Sequence, residues 1–174
     1  MPSTYTPIAT TTLGSAQASY TFSSISGIYT DLVLVINGYA VTQENSVLCQ
    51  VGNGSADTGS NYSTTTMAGN GTSALSNRQS SQTYMRLQSY GGLSTSSSNP
   101  AVITAQFMNY SNTTTNKTVL SRANQTAGTY PAVEAGVNLW RSTSAIDTIK
   151  VFPFTGASFA TGTTLTLYGI KAAA

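Results

Sequence analysis

Chemistry needs groups that attack, move protons or hold metals, and this chain has few of them. It contains no His, which removes the commonest general base, metal ligand and proton switch near neutral pH. Its carboxylates are Asp31, Glu44, Asp57, Glu134 and Asp147. Glycoside hydrolysis needs two carboxyl groups roughly 5–9.5 Å apart, and no spacing among these five singles out a pair. They read as strand-end and turn residues, with Asp31 ahead of an apolar run and Asp57 at the start of a turn. Asp57-Thr58-Gly59 has the form of the triplet with which aspartic proteases share one proton between two aspartates. A symmetric dimer could supply the second copy. That triplet normally follows apolar strand residues, whereas this one follows Gly52-Asn53-Gly54-Ser55-Ala56, so a solvent-exposed turn is expected instead.

The remaining reactive groups point the same way. Cys49 is the only cysteine and sits in the apolar pattern Ser46-Val47-Leu48-Cys49-Gln50-Val51. It reads as a buried thiol acting as a small hydrophobe, not as a nucleophile. Trp140, the only tryptophan, lies in Val137-Asn138-Leu139-Trp140-Arg141. Such a ring can stack on sugars, but core or subunit-interface packing is the stronger expectation. Asn-x-Ser/Thr recurs at Asn53, Asn61, Asn70, Asn109, Asn112, Asn116 and Asn124. In a chain this rich in Ser and Thr several arise by composition alone. Met1-Pro2-Ser3-Thr4-Tyr5 shows no basic leader, so no signal peptide and no glycosylation are expected. Gly52-Asn53-Gly54 lacks the strand-loop-helix setting of a phosphate loop. No catalytic, cofactor-binding or metal-binding residue is expected.

Whatever these residues do, the elements around them must be strands. The 174 residues suit one domain. Charged residues make up 7%, against a usual ~25%, so Ser, Thr, Asn and Gly must supply the polar surface. The longest apolar run, Leu32 to Ile36, falls far short of the ~20 residues of a membrane helix. A net charge of +2 with no basic run argues against nucleic acid. Ten Tyr, five Phe and abundant Val, Ile and Thr favour strands.

Residues 1–15 read as an extended arm and 16–174 as a single sandwich domain. Ala18, Tyr20 and Phe22 alternate with polar neighbours. The run 32–36 reads as a central strand closed by Asn37-Gly38, a dipeptide that favours a tight hairpin. Segments 39–42 and 46–51 follow. Residues 53–82 read as a long exposed loop or weak edge strands, with a helical turn at most within 72–82. Further strands are expected at 83–89, 101–110, 117–124, 136–141, 146–152 and 163–170, giving eight or nine in an antiparallel β-sandwich.

Several phrases carry a resemblance. They are Phe22-Ser23-Ser24-Ile25, Tyr29-Thr30-Asp31-Leu32-Val33-Leu34-Val35, Asp57-Thr58-Gly59-Ser60-Asn61-Tyr62-Ser63 and Asn116-Lys117-Thr118-Val119. Leu139-Trp140, Ala145-Ile146-Asp147-Thr148-Ile149, Phe159-Ala160-Thr161-Gly162 and Leu167-Tyr168-Gly169-Ile170 complete them. In this order, over about residues 17–171, the chain resembles a family of small structural proteins of tailed bacteriophages. It departs from that pattern at Ser26-Gly27-Ile28, where a proline is frequent, and in a longer turn at 52–57. The resemblance implies an all-β, jelly-roll-like sandwich, a homotrimer, and no catalytic residues.

On that basis the expected role is a non-enzymatic capsid decoration (cement) protein. It would sit on the capsid exterior of a virion assembled in host cytoplasm, with the major capsid protein as its partner. The extended arm would add a strand to a shell subunit, and many weak contacts would act together by avidity. The alternative is a tail fibre or receptor-binding tip that meets a host surface glycan through loops 52–82 and 91–99. A fibre would normally show coiled-coil or repeat segments for reach. No nucleic acid, membrane or cofactor enters either expectation.

Overall fold

The computed structural model describes residues 4–42, 45–128, 130–154 and 156–171. Among these described residues twelve strands run in the order β1 Tyr5–Thr12, β2 Tyr20–Phe22, β3 Asp31–Gly38, β4 Asn45–Gly52, β5 Tyr62–Gly69, β6 Ala74–Gln82, β7 Met85–Leu93, β8 Ala101–Phe107, β9 Lys117–Gln125, β10 Ala132–Trp140, β11 Thr148–Pro153 and β12 Thr164–Ile170. No helix occurs among the described residues. The strands form two antiparallel sheets, an eight-stranded one ordered β1-β12-β3-β8-β9-β10-β5-β6 and a four-stranded one ordered β2-β11-β4-β7. The fold is an all-β, jelly-roll-like antiparallel sandwich.

Period-two alternation decides which side chains enter the core. Leu32, Leu34 and Ile36 of β3, Ile103, Ala105 and Phe107 of β8, and Leu165 and Leu167 of β12 are fully buried between the sheets. Val47, Cys49 and Val51 of β4, Ile149 and Val151 of β11, and Met85 and Leu87 of β7 meet them from the small sheet. Each such aliphatic contributes roughly 1.5–3 kcal/mol on burial. Under β5, β9 and β10 the interior turns polar. Thr64 Oγ1 donates to Asn138 Oδ1 (2.6 Å) and accepts from the Arg86 N–H (3.1 Å).

Three expectations need correction. Residues 5–12 are extended but do not form a separate arm. They are the edge strand of the large sheet, paired antiparallel with β12 from Tyr5↔Ile170 to Thr12↔Thr164, with a shift of register between Pro7 and Ala9. Asn37-Gly38 closes no hairpin, because β3 continues through it, paired with β12 and β8, before the chain crosses to the small sheet. Gly38 is needed there because a Cβ would strike the Thr163 side chain. The segment 72–82 holds no helical turn. It is β6, paired with β5 as an edge hairpin.

That hairpin turns on Asn70-Gly71, where Gly71 has φ +88 and Asn70 Oδ1 accepts from the Thr72 and Ser73 N–H groups. The weak-edge-strand reading of 53–82 therefore fits its second half. Of 39–42, only Ala40 makes a bridge, to Phe159.

Candidate interaction face

The groups with chemical potential are engaged in tying turns to strands. Asp57 Oδ2 accepts from Trp140 Nε1–H (2.7 Å) and Asn61 Nδ2 (2.9 Å), and its Oδ1 accepts from the Gly59 N–H (2.7 Å). Partial burial pulls this carboxyl upward, but the donors outweigh it and hold the group below its ordinary range. Three donors thus make the Asp57 carboxylate a brace between its own turn and the end of β10. Below it, Tyr62 is fully buried, and its Oη accepts from the Val51 N–H (3.2 Å) and lies 2.8 Å from the Asp57 carbonyl. Arg141 donates to Ser63 Oγ and to the Ser60 and Tyr62 carbonyls.

The other acids behave alike. Asp147 accepts from the Gly54 N–H (2.7 Å) and the Thr148 hydroxyl (2.8 Å). Asp31 accepts from the Asn109 N–H (2.7 Å) and Gln106 Nε2 (3.2 Å). Glu134, 4% exposed, reaches from β10 to β7 and accepts from the Ser89 and Tyr90 N–H groups at 2.9 and 2.6 Å. Burial raises its pKa, opposed in part by those donors and by the Arg86 charge. Glu44 lies outside the described residues. Trp140 is 3% exposed and packs in the core, as expected. Cys49 is fully buried in β4, and burial pushes its thiol far up, out of reach of ionisation.

Sequence reasoning missed the surface these strands create. Every second residue of the large sheet faces outward, and the register aligns these residues in rows. Val35, Thr104, Arg122, Ala135 and Met67 form one row. Val33, Gln106, Leu120, Val137 and Thr65 form the next, which ends on Arg78. Met67, Val133, Leu120, Val137 and Val102 are exposed large hydrophobics. Val33 shares this face yet is buried, within a depression whose lining also includes Tyr5 and Leu120. Arg122 stands where three shallow depressions of about 320, 290 and 230 Å³ meet. The signal was present as apolar residues on the solvent side of a period-two pattern, but it becomes visible only once the strand order is known.

A second, half-buried cluster lies beside the small sheet, with Phe154 its exposed ring. Tyr84 packs edge-on to Phe152 and Phe154. Arg86 lies over the Tyr84 and Phe154 rings, and Lys150 over Phe152.

No protein-family model and no curated protein matches this chain. Among solved structures, domains LG4-5 of the mouse laminin alpha1 chain are similar at a TM-score of 0.33 and 15% identity. The match covers 91% of this chain and 40% of that one.

Proposed function

We propose that this chain is a non-enzymatic structural protein of a tailed-phage virion, acting as a capsid decoration protein on the outside of the shell. The observation that carries the reading is where the phrases of the resemblance lie in space. Tyr29 of the Tyr-Thr-Asp phrase packs on Gly169 of Leu-Tyr-Gly-Ile, where a Cβ would overlap its ring. Asp57 of Asp-Thr-Gly holds Trp140 of Leu-Trp. Asp147 of Ile-Asp-Thr takes the Gly54 N–H in the turn just before Asp57. In the first two contacts phrases far apart in sequence meet at joints of the sandwich, and in the third a phrase ties down the turn at 52–57. That is how a shared scaffold would be recorded in sequence, and it supports kinship with structural proteins. A homotrimer is part of the same proposal.

The receptor-binding tip is the second reading, favoured by the Tyr84, Phe152, Phe154, Arg86 and Lys150 cluster, whose rings and cations suit an acidic glycan. Copy number per purified virion, measured by quantitative mass spectrometry against the major shell protein, decides between them. A count comparable to the shell protein supports decoration. A count of a few to a few tens overturns it in favour of the tip.

A further inference from the structure

Most cations of this chain are engaged within it. Arg86, Arg141 and Lys117 donate to oxygens of their surroundings, and Lys150 and Lys171 lie over aromatic rings. The two guanidinium groups without a hydrogen-bond or ion-pair partner among the described residues are Arg122 and Arg78. Both stand on the outer face of the eight-stranded sheet, Arg122 among its exposed apolar side chains and Arg78 at its edge beside Thr65, Ser63 and Val137. From β9 to β6 is three strand spacings, so the two charges are roughly 14 Å apart across the sheet.

We infer that this face is the docking surface, and that its occupant is a shell-protein surface carrying carboxylates among apolar side chains. The inference rests on the virion reading above and specifies the contact it needs. Charge complementarity identifies the occupant. An unpaired guanidinium in an apolar field, Arg122, with a second at the edge of the same face, Arg78, calls for carboxylates, and bidentate Arg–carboxylate pairs become strong when the surrounding surface is desolvated. A second copy of this chain is a poor match. Its described carboxylates, Asp31, Asp57, Asp147 and Glu134, all already accept donors of their own chain. Two such faces related by a two-fold axis near Arg122 would also set like charges against each other.

The size fits as well. Eight strands of about eight residues span roughly 34 by 25 Å, on the order of 800 Å², which is one side of a standard interface. The Tyr84–Phe152–Phe154 cluster is a weaker docking site, because its two cations already occupy ring faces.

The test uses phage particles whose copy of this chain carries Arg122→Glu, Arg78→Glu or Met67→Asp on the outer face, or Lys150→Glu on the small sheet. Quantitative mass spectrometry of purified particles gives the ratio to the major shell protein, and thermal melts of the free variants confirm that each folds. The outer-face variants are expected to fall by about tenfold or more, with Lys150→Glu at the wild-type ratio. Wild-type incorporation of both Arg122→Glu and Met67→Asp overturns the docking face and leaves the virion reading standing. Absence of the wild-type chain from purified particles overturns the virion reading, and this inference with it.

Discussion

At the scale of single residues, the acids of this protein act as clamps, and each clamp has its own pH signature. Asp57 is held below its ordinary value of 3.8 by the Trp140, Asn61 and Gly59 donors, against the upward pull of burial. A depressed carboxyl contributes stability above its unfolded pKa and loses it as pH falls through the folded one. Asp57→Asn should therefore cost about 1.5–3 kcal/mol at neutral pH, the worth of hydrogen bonds to a charged group. The gap should close in acid below pH 3.8. Denaturant titrations at several pH values measure both.

Glu134 has the opposite sign. Burial raises its pKa above the ordinary 4.5, so its contribution is full at low pH and declines as pH rises through the folded value. Glu134→Gln does not titrate. Its stability relative to wild type should improve as pH rises from 4.5 through the folded value and level off above it, and a flat difference would show that the carboxylate is not desolvated in solution.

At the scale of elements, the N-terminal strand bears most of the revision. Pro7 and the threonine run at 10–12 gave no alternation strong enough to mark a strand. What makes 5–12 a strand is the exposed edge of β12, whose backbone groups need partners. Deleting residues 2–12 should uncover that edge along Thr164–Ile170 and bare Tyr168, against which Tyr5 packs edge-on. The truncated protein is expected to self-associate, and size-exclusion chromatography at increasing concentration measures it. A monodisperse truncation with unchanged elution would show that the edge is protected some other way.

The contrast with β8 and β12 shows what the sequence could reveal. Ile103, Ala105, Phe107, Leu165 and Leu167 each face a core on one side only, so their period-two pattern was plain. β6 was obscured because, as an edge strand, it carries Ser, Asn, Arg and Gln in place of an apolar face. The Asn-Gly signal was ambiguous because three such dipeptides occur, at 37–38, 53–54 and 70–71. Only Asn70-Gly71 turns a hairpin, while Gly38 answers a close approach from another strand. Of the outer face, the residues could be named from the sequence, but their alignment into rows depends on the order β8-β9-β10-β5, which sequence periodicity does not encode.

At the scale of the whole molecule, the sandwich divides its labour between two faces. Its interior is closed by apolar side chains and by the Thr64–Asn138 and Glu134 bonds, which join strands that sequence places far apart. Its outside carries almost no charge, and the unpaired cations fall on one face. A particle surface built of such subunits would repel few partners and attract few, leaving recognition to the sheet that carries Arg122 and Arg78.

The single cysteine gives this architecture a clock. Cys49 lies at the middle of β4, paired with β11 on one side and β7 on the other, with no exposed surface. A thiol-specific reagent cannot reach it until these strands part, so labelling counts openings of the small sheet one molecule at a time. In the free protein the labelling rate should track unfolding as denaturant is raised. Under the proposed decoration role, labelling on an assembled particle should slow in proportion to how firmly the shell holds the fold closed, turning an inert core residue into a measure of mechanical support. Rapid labelling in native buffer would mean that the small sheet opens without the large one.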